Sequence, residues 1–389
     1  MRRELMTIAV LCSGLLFLFS TCGKKQNGGT TGGGPAGGGS AKGATIKIGL
    51  GAPLTKGNAA FGIGMKNAIE MVVADWNAKG GINGKAIEAI YEDDEGDNSV
   101  GATVANKLSL SGVGGVIGHL NSSVTIPASK IYNANKIISI TPASTNPEVT
   151  DRRLPYVFRV CWRDDQQGPF AADAAQQFLK VKRVAVLDDR KTYGEGLAKA
   201  FLDRATAIGL QIVAQDHINP GELDYSAVLS KFKTKNPDAI FYGGEYGEYG
   251  LIIKQTRDLG MKNVALLAGD GGRDVQTFSR AGSNDLSRVY VTFARTSGSE
   301  VKVFEKRYVD QYKIPMNAFS PFTYVAGDIL LQAIQDTGST DAETLSAYLH
   351  SHSFETMVGK IEFDDKGDVK QASLGLEELK NGGFVPVWP

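Results

Sequence analysis

From Thr45 onward the chain alternates short apolar runs with amphipathic segments. The run Ile46-Lys47-Ile48-Gly49-Leu50 reads as a strand. Met65, Ile69, Val72, Val73 and Trp76 then recur at three-and-four spacing, one face of a helix that Gly80-Gly81 ends. The same logic predicts strand 87–91, helix 100–108, strand 113–118, helix 123–135 and strand 137–140. A second series follows, with strands over 184–187, 211–215, 239–242 and 264–267 and helices over 194–207, 226–232 and 251–259. Two successive βαβ series predict two doubly wound, parallel α/β sheets. The tail departs from this pattern. It predicts helices over 301–312, 324–334 and 342–349, then two strands flanking the turn Asp364-Asp365-Lys366-Gly367-Asp368.

The first 43 residues do not belong to that alternation. Arg2 and Arg3 precede an apolar stretch that ends at Phe19, too short to span a bilayer comfortably, as in an export signal over residues 1–21. Phe19-Ser20-Thr21-Cys22-Gly23 resembles a bacterial lipobox, which would put a lipid on Cys22, although Phe19 and Thr21 stand where Leu and Gly or Ala are usual. Residues 22–43 are a Gly-rich flexible tether. The remaining body exceeds the roughly 250–300 residues that one core supports, so two lobes are expected.

Charge and cysteine usage remove several functions. The 389 residues carry 42 Lys and Arg against 42 Asp and Glu, dispersed, which gives no basic surface for nucleic acid. Of the three cysteines, only Cys161 lies in the body, so no internal disulfide or cysteine zinc site is expected. No phosphate-loop, dinucleotide or hydrolase-elbow motif occurs, and no cofactor or metal is expected. His119, His217, His350 and His352 are scattered and read as surface or structural. The acidic run Asp93, Asp94, Glu95, Asp97 lacks a calcium loop's spacing and reads as a solvated loop.

Polar chemistry is left at strand ends, where open α/β sheets place ligands. Gly118-His119-Leu120-Asn121-Ser122-Ser123-Val124-Thr125 follows a strand and opens a helix, with Ser122 or Ser123 as its cap. A helix N-terminus suits a carboxylate, since its first N–H groups lack partners. Alone, this is also what a plain cap looks like. A second segment, Thr141-Pro142-Ala143-Ser144-Thr145-Asn146-Pro147, follows the next strand and adds hydroxyls and turn carbonyls on the same edge.

The succession Asn77-Ala78-Lys79-Gly80-Gly81-Ile82, Val116-Ile117-Gly118-His119-Leu120, Ile140-Thr141-Pro142-Ala143, Gln167-Gly168-Pro169, Tyr193-Gly194-Glu195-Gly196-Leu197 and Tyr242-Gly243-Gly244 resembles the leucine/isoleucine/valine-binding proteins of bacterial ABC uptake systems. The resemblance spans nearly all of 45–369. It implies a type I periplasmic binding protein fold, two α/β lobes joined by three crossovers near Trp162, Phe293 and Leu374. Lobe 1 would hold 44–162 and 294–373, and lobe 2 would hold 163–293 and 374–389. An amino acid is then enclosed between the lobes of a monomer and delivered to permease subunits, in the periplasm or on the outer face of the cell envelope.

Residue by residue, the resemblance makes Ser122 the holder of the ligand carboxylate and Ala143 a carbonyl partner. Thr145, beside Ser144, would meet both ends of the amino acid. Tyr193 would close from the second lobe, Phe61 would line the wall, and Asp270 would take the place of the family's ammonium-pairing glutamate. Glu245 departs from the pattern, since an aromatic is expected after Gly243-Gly244. Either it points into the cleft, or it turns outward and Tyr246 takes the aromatic role. The family disulfide is absent, its places falling near Gly96 and on Asn121. Two rival classes are a ligand-sensing module of the same fold and an exported hydrolase, for which Cys161 is the only thiol and no histidine is placed to activate it.

Overall fold

The computed structural model describes residues 45–389 except 283–284, 297 and 381, and these belong to one compact unit. The export signal, Cys22 and the tether lie outside the described residues. In chain order the first series is β1 Ile46–Ala52, α1 Ala59–Ala78, β2 Ile87–Asp93, α2 Asn98–Leu110, β3 Val116–Gly118, α3 Ser122–Ala134, β4 Ser139–Thr141, α4 Glu148–Asp151 and β5 Val157–Arg159. Its strands form one parallel sheet in the order β2-β1-β3-β4-β5.

The second series is α5 Asp164–Gln177, β6 Arg183–Asp188, α6 Thr192–Ala207, β7 Gln211–His217, α7 Ser226–Lys233, β8 Ala239–Gly243, α8 Tyr246–Asp258, β9 Ala265–Ala268, α9 Val275–Ala281 and β10 Val289–Ala294. Helices α10 Ser299–Tyr312, α11 Ser320–Thr337 and α12 Ala342–Ser351 follow, then β11 Ser353–Thr356 and β12 Gly359–Glu362, a separate two-stranded sheet whose Phe354 and Ile361 pack into the core of the first sheet. The last strands, β13 Leu374–Lys380 and β14 Gly383–Trp388, join the second. That sheet runs β14-β13-β10-β9-β8-β6-β7, adding two antiparallel strands at one edge of its parallel set.

Each sheet is covered by helices whose apolar stripes supply the core. In α1 the stripe Phe61, Met65, Ala68, Ile69, Val72 and Trp76 is buried, and it meets Phe322, Val325, Ile329 and Leu330 of α11 over the first sheet. Gly80 and Gly81 end α1 in left-handed conformation, with their N–H groups on Asn77 O and Trp76 O. On the second sheet Phe201 stacks on Phe241 at 3.9 Å between centroids.

Three readings are corrected here. The acidic run is not a solvated loop: Asp97 caps α2 by accepting from Ser99 N and Val100 N, Asp93 accepts from Leu54 N, and Asp94 is fully buried against His119. The tail's strand pair is β11 with β12, joined through Met357-Val358, whereas residues 364–368 form a turn closed by the single bridge Phe363–Val369. Asp364 folds that turn by accepting from Lys366 N and Asp368 N, and Arg159 takes the Asp368 carboxylate. Helix α8 begins at Tyr246, not Leu251. Gly250 weakens the helical signal, yet it is required, since a Cβ there would lie 2.5 Å from Arg280 Cβ on α9.

Candidate functional site

The C-terminal ends of β3 and β4 in one sheet face those of β6, β8 and β9 in the other. The segments that leave these ends carry the polar residues that meet in the cleft. They enclose a small cavity lined by Phe61, Leu120, Asn121, Ser122, Ala143, Tyr193, Glu245, Asp270, Gly271 and Phe319.

On the first side, Ser122 opens α3, and the N-cap is Asn121 rather than Ser122 or Ser123. Val124 N and Thr125 N donate to Asn121 O, and the N–H groups of Ser122 and Ser123 have no acceptor among the described residues. These free donors lie at the positive end of a 13-residue helix, an arrangement that can accept an anion. The neighbouring loop is pinned from behind. Arg159, fully buried at the end of β5, donates to Ser144 O and Asn146 O at 3.0 Å each and to Asp368 Oδ1 at 2.5 Å. Ser144 Oγ donates to Leu120 O at 2.8 Å, and Thr141 Oγ1 donates to His119 O at 2.7 Å, tying the two loops together. His119 itself sits between Asp94 and the Tyr132 hydroxyl, a buried structural role. Gly118 is needed here: its φ is 126°, and a Cβ would lie 2.1 Å from Gly51 O.

On the second side, Tyr193 in the first turn of α6 donates its hydroxyl hydrogen to Asp270 Oδ1 at 3.0 Å and accepts from Gly271 N at 3.0 Å. Gly271 permits this approach, since a Cβ would meet the Tyr193 ring at 2.9 Å. Burial pushes Asp270 up to about 6, against the pull of the Tyr193 hydroxyl. Burial also pushes Glu245 up to about 8, partly relieved by Lys191 and reinforced by Asp189, Glu248 and Asp270.

Glu245 settles the alternative left open by the sequence. It is 6 % exposed, lines the cavity and accepts from Asn121 Nδ2 on the opposite side at 2.9 Å. Tyr246 nevertheless serves the wall as well, packing edge-on against Phe61 at 4.9 Å and donating to Gly57 O at 2.8 Å. The cleft is further tied by Asn146 Nδ2 donating to Thr192 O at 3.0 Å.

Of the residues singled out from sequence, Phe61, Ser122, Ala143, Tyr193, Glu245 and Asp270 share the cavity. Ser144 is turned into the loop network, and Tyr246 stands behind Phe61. Thr145 is fully buried beside the cavity, its hydroxyl without a partner in hydrogen-bonding geometry. The residue missed outright is Phe319, which packs edge-on against Phe61 at 5.2 Å; it lies just before a tail helix, far from any strand end. Leu120 and Asn121 lay inside a segment already marked but were not chosen, and Gly271 is the chain neighbour of Asp270. Cys161 is buried, with its thiol pKa raised by burial. None of the described helices is long and apolar enough to cross a membrane, and no metal-binding cluster of His, Cys, Asp and Glu occurs among the described residues.

A family model described as periplasmic binding protein matches residues 45–383. The chain is 37% identical over 343 residues to a Leu/Ile/Val-binding protein homolog of Brucella abortus, covering 87% of this chain and 91% of the relative. It is 34% identical over 347 residues to an amino acid binding protein of Pseudomonas aeruginosa, with the same coverage. Among solved structures, the leucine binding protein LivK of Thermotoga maritima superposes with a TM-score of 0.82 at 30% identity, covering 88% of this chain and 98% of that one. The branched-chain amino acid transporter substrate binding protein LivJ of Streptococcus pneumoniae, bound to isoleucine, also gives 0.82, at 26% identity and coverages of 89% and 100%.

Proposed function

Since the chain belongs to the periplasmic binding protein family, a family of solute-binding proteins, we propose that it captures a small α-amino acid and presents it to the permease of an ABC transporter. The ligand's side chain would be in the size class of leucine, isoleucine or valine. The observation that carries this reading is a small cavity whose polar ends are complementary to a zwitterion. Free N–H groups at Ser122 and Ser123 face a carboxylate, and Asp270, steadied by Tyr193, faces an ammonium. Phe61, Leu120, Ala143 and Phe319 supply the apolar wall.

Neither side completes the site. A ligand that touches both stabilises the closed arrangement by contacts that exist only there, and closure is what a permease can recognise. Around this module we place the export signal at 1–21, a lipid on Cys22, the tether at 22–43, and lobes of 44–162 with 294–373 and 163–293 with 374–389, acting as a monomer outside the cytoplasm. Isothermal calorimetry with the L-amino acids and with their amides and decarboxylated amines tests the reading. Binding of the zwitterions alone supports it, and binding of another metabolite class with no amino acid overturns it. Incorporation of a labelled fatty acid, lost in Cys22→Ser, tests the anchor.

A further inference from the structure

A zwitterion brings one cation into a cavity that already holds two carboxylates. Asp270 and Glu245 both line it, and no Lys, Arg or His is among the lining residues. Asp270 has Tyr193 as a partner and faces the ammonium on the reading above. Glu245 is therefore the surplus acid. Its Oε1 accepts from Asn121 Nδ2, but its Oε2 has no hydrogen-bond partner among the described residues. The carboxyl keeps accepting capacity beyond that one bond, and an all-carbon ligand side chain packed against it would shut it off from water without supplying a donor.

Glu245 and Asn121 are not placed by accident of rotamer. Glu245 is the N-cap residue of α8, separated from the Gly243 end of β8 by Gly244 alone, and Asn121 is the N-cap residue of α3. Their side chains meet across the cleft, and both line the cavity together with Phe61, Leu120 and Phe319. With Ser122 and Asp270 assigned above to the ligand's two charged ends, Glu245 is the polar group left to meet its side chain.

We propose that Glu245, seated on Asn121, is a specificity-determining residue that makes the cavity favour α-amino acids whose side chain carries a hydrogen-bond donor over all-carbon side chains of the same shape. This rests on the amino-acid reading above and narrows it. The preference holds in either protonation state, since a carboxylate and a carboxylic acid both offer an acceptor oxygen to a hydroxyl or amide N–H. A site built around such a group rejects an analogue that lacks the donor far more strongly than an apolar pocket rejects an added hydroxyl.

Isosteric pairs isolate the effect. Calorimetry on the full protein with L-threonine against L-valine, and with L-asparagine against L-leucine, compares ligands of like shape that differ in donors. The donor-bearing member of each pair is expected to bind at least about tenfold more tightly. Glu245→Leu is expected to reverse the order, and Glu245→Gln, which keeps the shape and an acceptor, to retain part of it. If Glu245→Leu does not fold, the wild-type ratios alone decide. Equal or tighter binding of valine and leucine by the wild type overturns the inference while leaving the amino-acid site standing. Failure of every amino acid to bind overturns both.

Discussion

The two faces of the cleft are built differently. On the five-stranded side the loops behind the cavity are already pinned: Arg159 spans two loop carbonyls and a carboxylate, and His119 is held at both ring nitrogens. On the seven-stranded side, buried acids are left under-partnered. Glu245 is pushed to about 8, and Asp270 and Asp189 each to about 6, all chiefly by burial. One face is a rigid seat, and the other holds a reserve of acceptors, Asp270 and Glu245, at the cavity wall. On the proposed function, pre-organisation on one side limits the ordering cost of binding, and the acids on the other gain further partners from a ligand that reaches both faces.

Breaking the seat should have the largest effect. Arg159→Met leaves Asp368 and the carbonyls of Ser144 and Asn146 without their shared donor. It is expected to lower unfolding free energy by about 3–5 kcal/mol, read from urea midpoints. A loss below about 1 kcal/mol would mean that the loops hold themselves.

Next in size is the ligand's own contribution. At a hundredfold excess over its dissociation constant, a bound amino acid should raise stability by about 2.7 kcal/mol in a denaturant titration. Asp270→Asn comes third, weakening amino-acid binding by about 1.5 kcal/mol or more in calorimetry, since a charge-assisted contact is replaced by a neutral one. An unchanged dissociation constant would assign Asp270 to the loop rather than the ligand.

A further effect is in pH. Acids whose folded pKa is raised bind protons more tightly in the native state, so stability is greatest at low pH and falls as pH rises through the raised values. For Asp189, Asp270 and Glu245 that window runs from the ordinary carboxyl range to about 8. The ligand-free protein should therefore melt a few degrees higher at pH 5 than at pH 8. Glu245→Gln should flatten the upper part of that profile; if the slope above pH 6 survives in the variant, Glu245 is not its source.

The seat and the reserve also differ in how far the sequence reveals them. Alternation in Ile46-Lys47-Ile48 and the helical stripe from Met65 to Trp76 depend only on local periodicity, and β1 and α1 follow. Strand β5 is three residues long and ends in a buried arginine that is tolerable only because Asp368, 209 residues away, meets it. No local pattern carries that information. Ser122 was accessible because a strand end followed by a helix cap marks a ligand edge, and Asp270 was accessible only through the family resemblance. The inward turn of Glu245 was not, since its orientation depends on Asn121 across the cleft. Phe319 escaped for the same reason, its place being set by Phe61 and Trp162 rather than by its neighbours in the chain.

Asp368 is gripped from both flanks of the first passage between sheets: Arg159 lies before Cys161-Trp162, and Arg163, donating at 2.7 Å, lies after it. Mechanically this is a bracket. The first passage and the turn that leads to the third are riveted at one point, so neither can slide along the other. The second passage, at Phe293, runs beside them against the rings of Trp162 and Phe322 at 4.9 and 6.0 Å. The closure proposed above would have to leave this bracket, and the aromatic cluster beside it, intact.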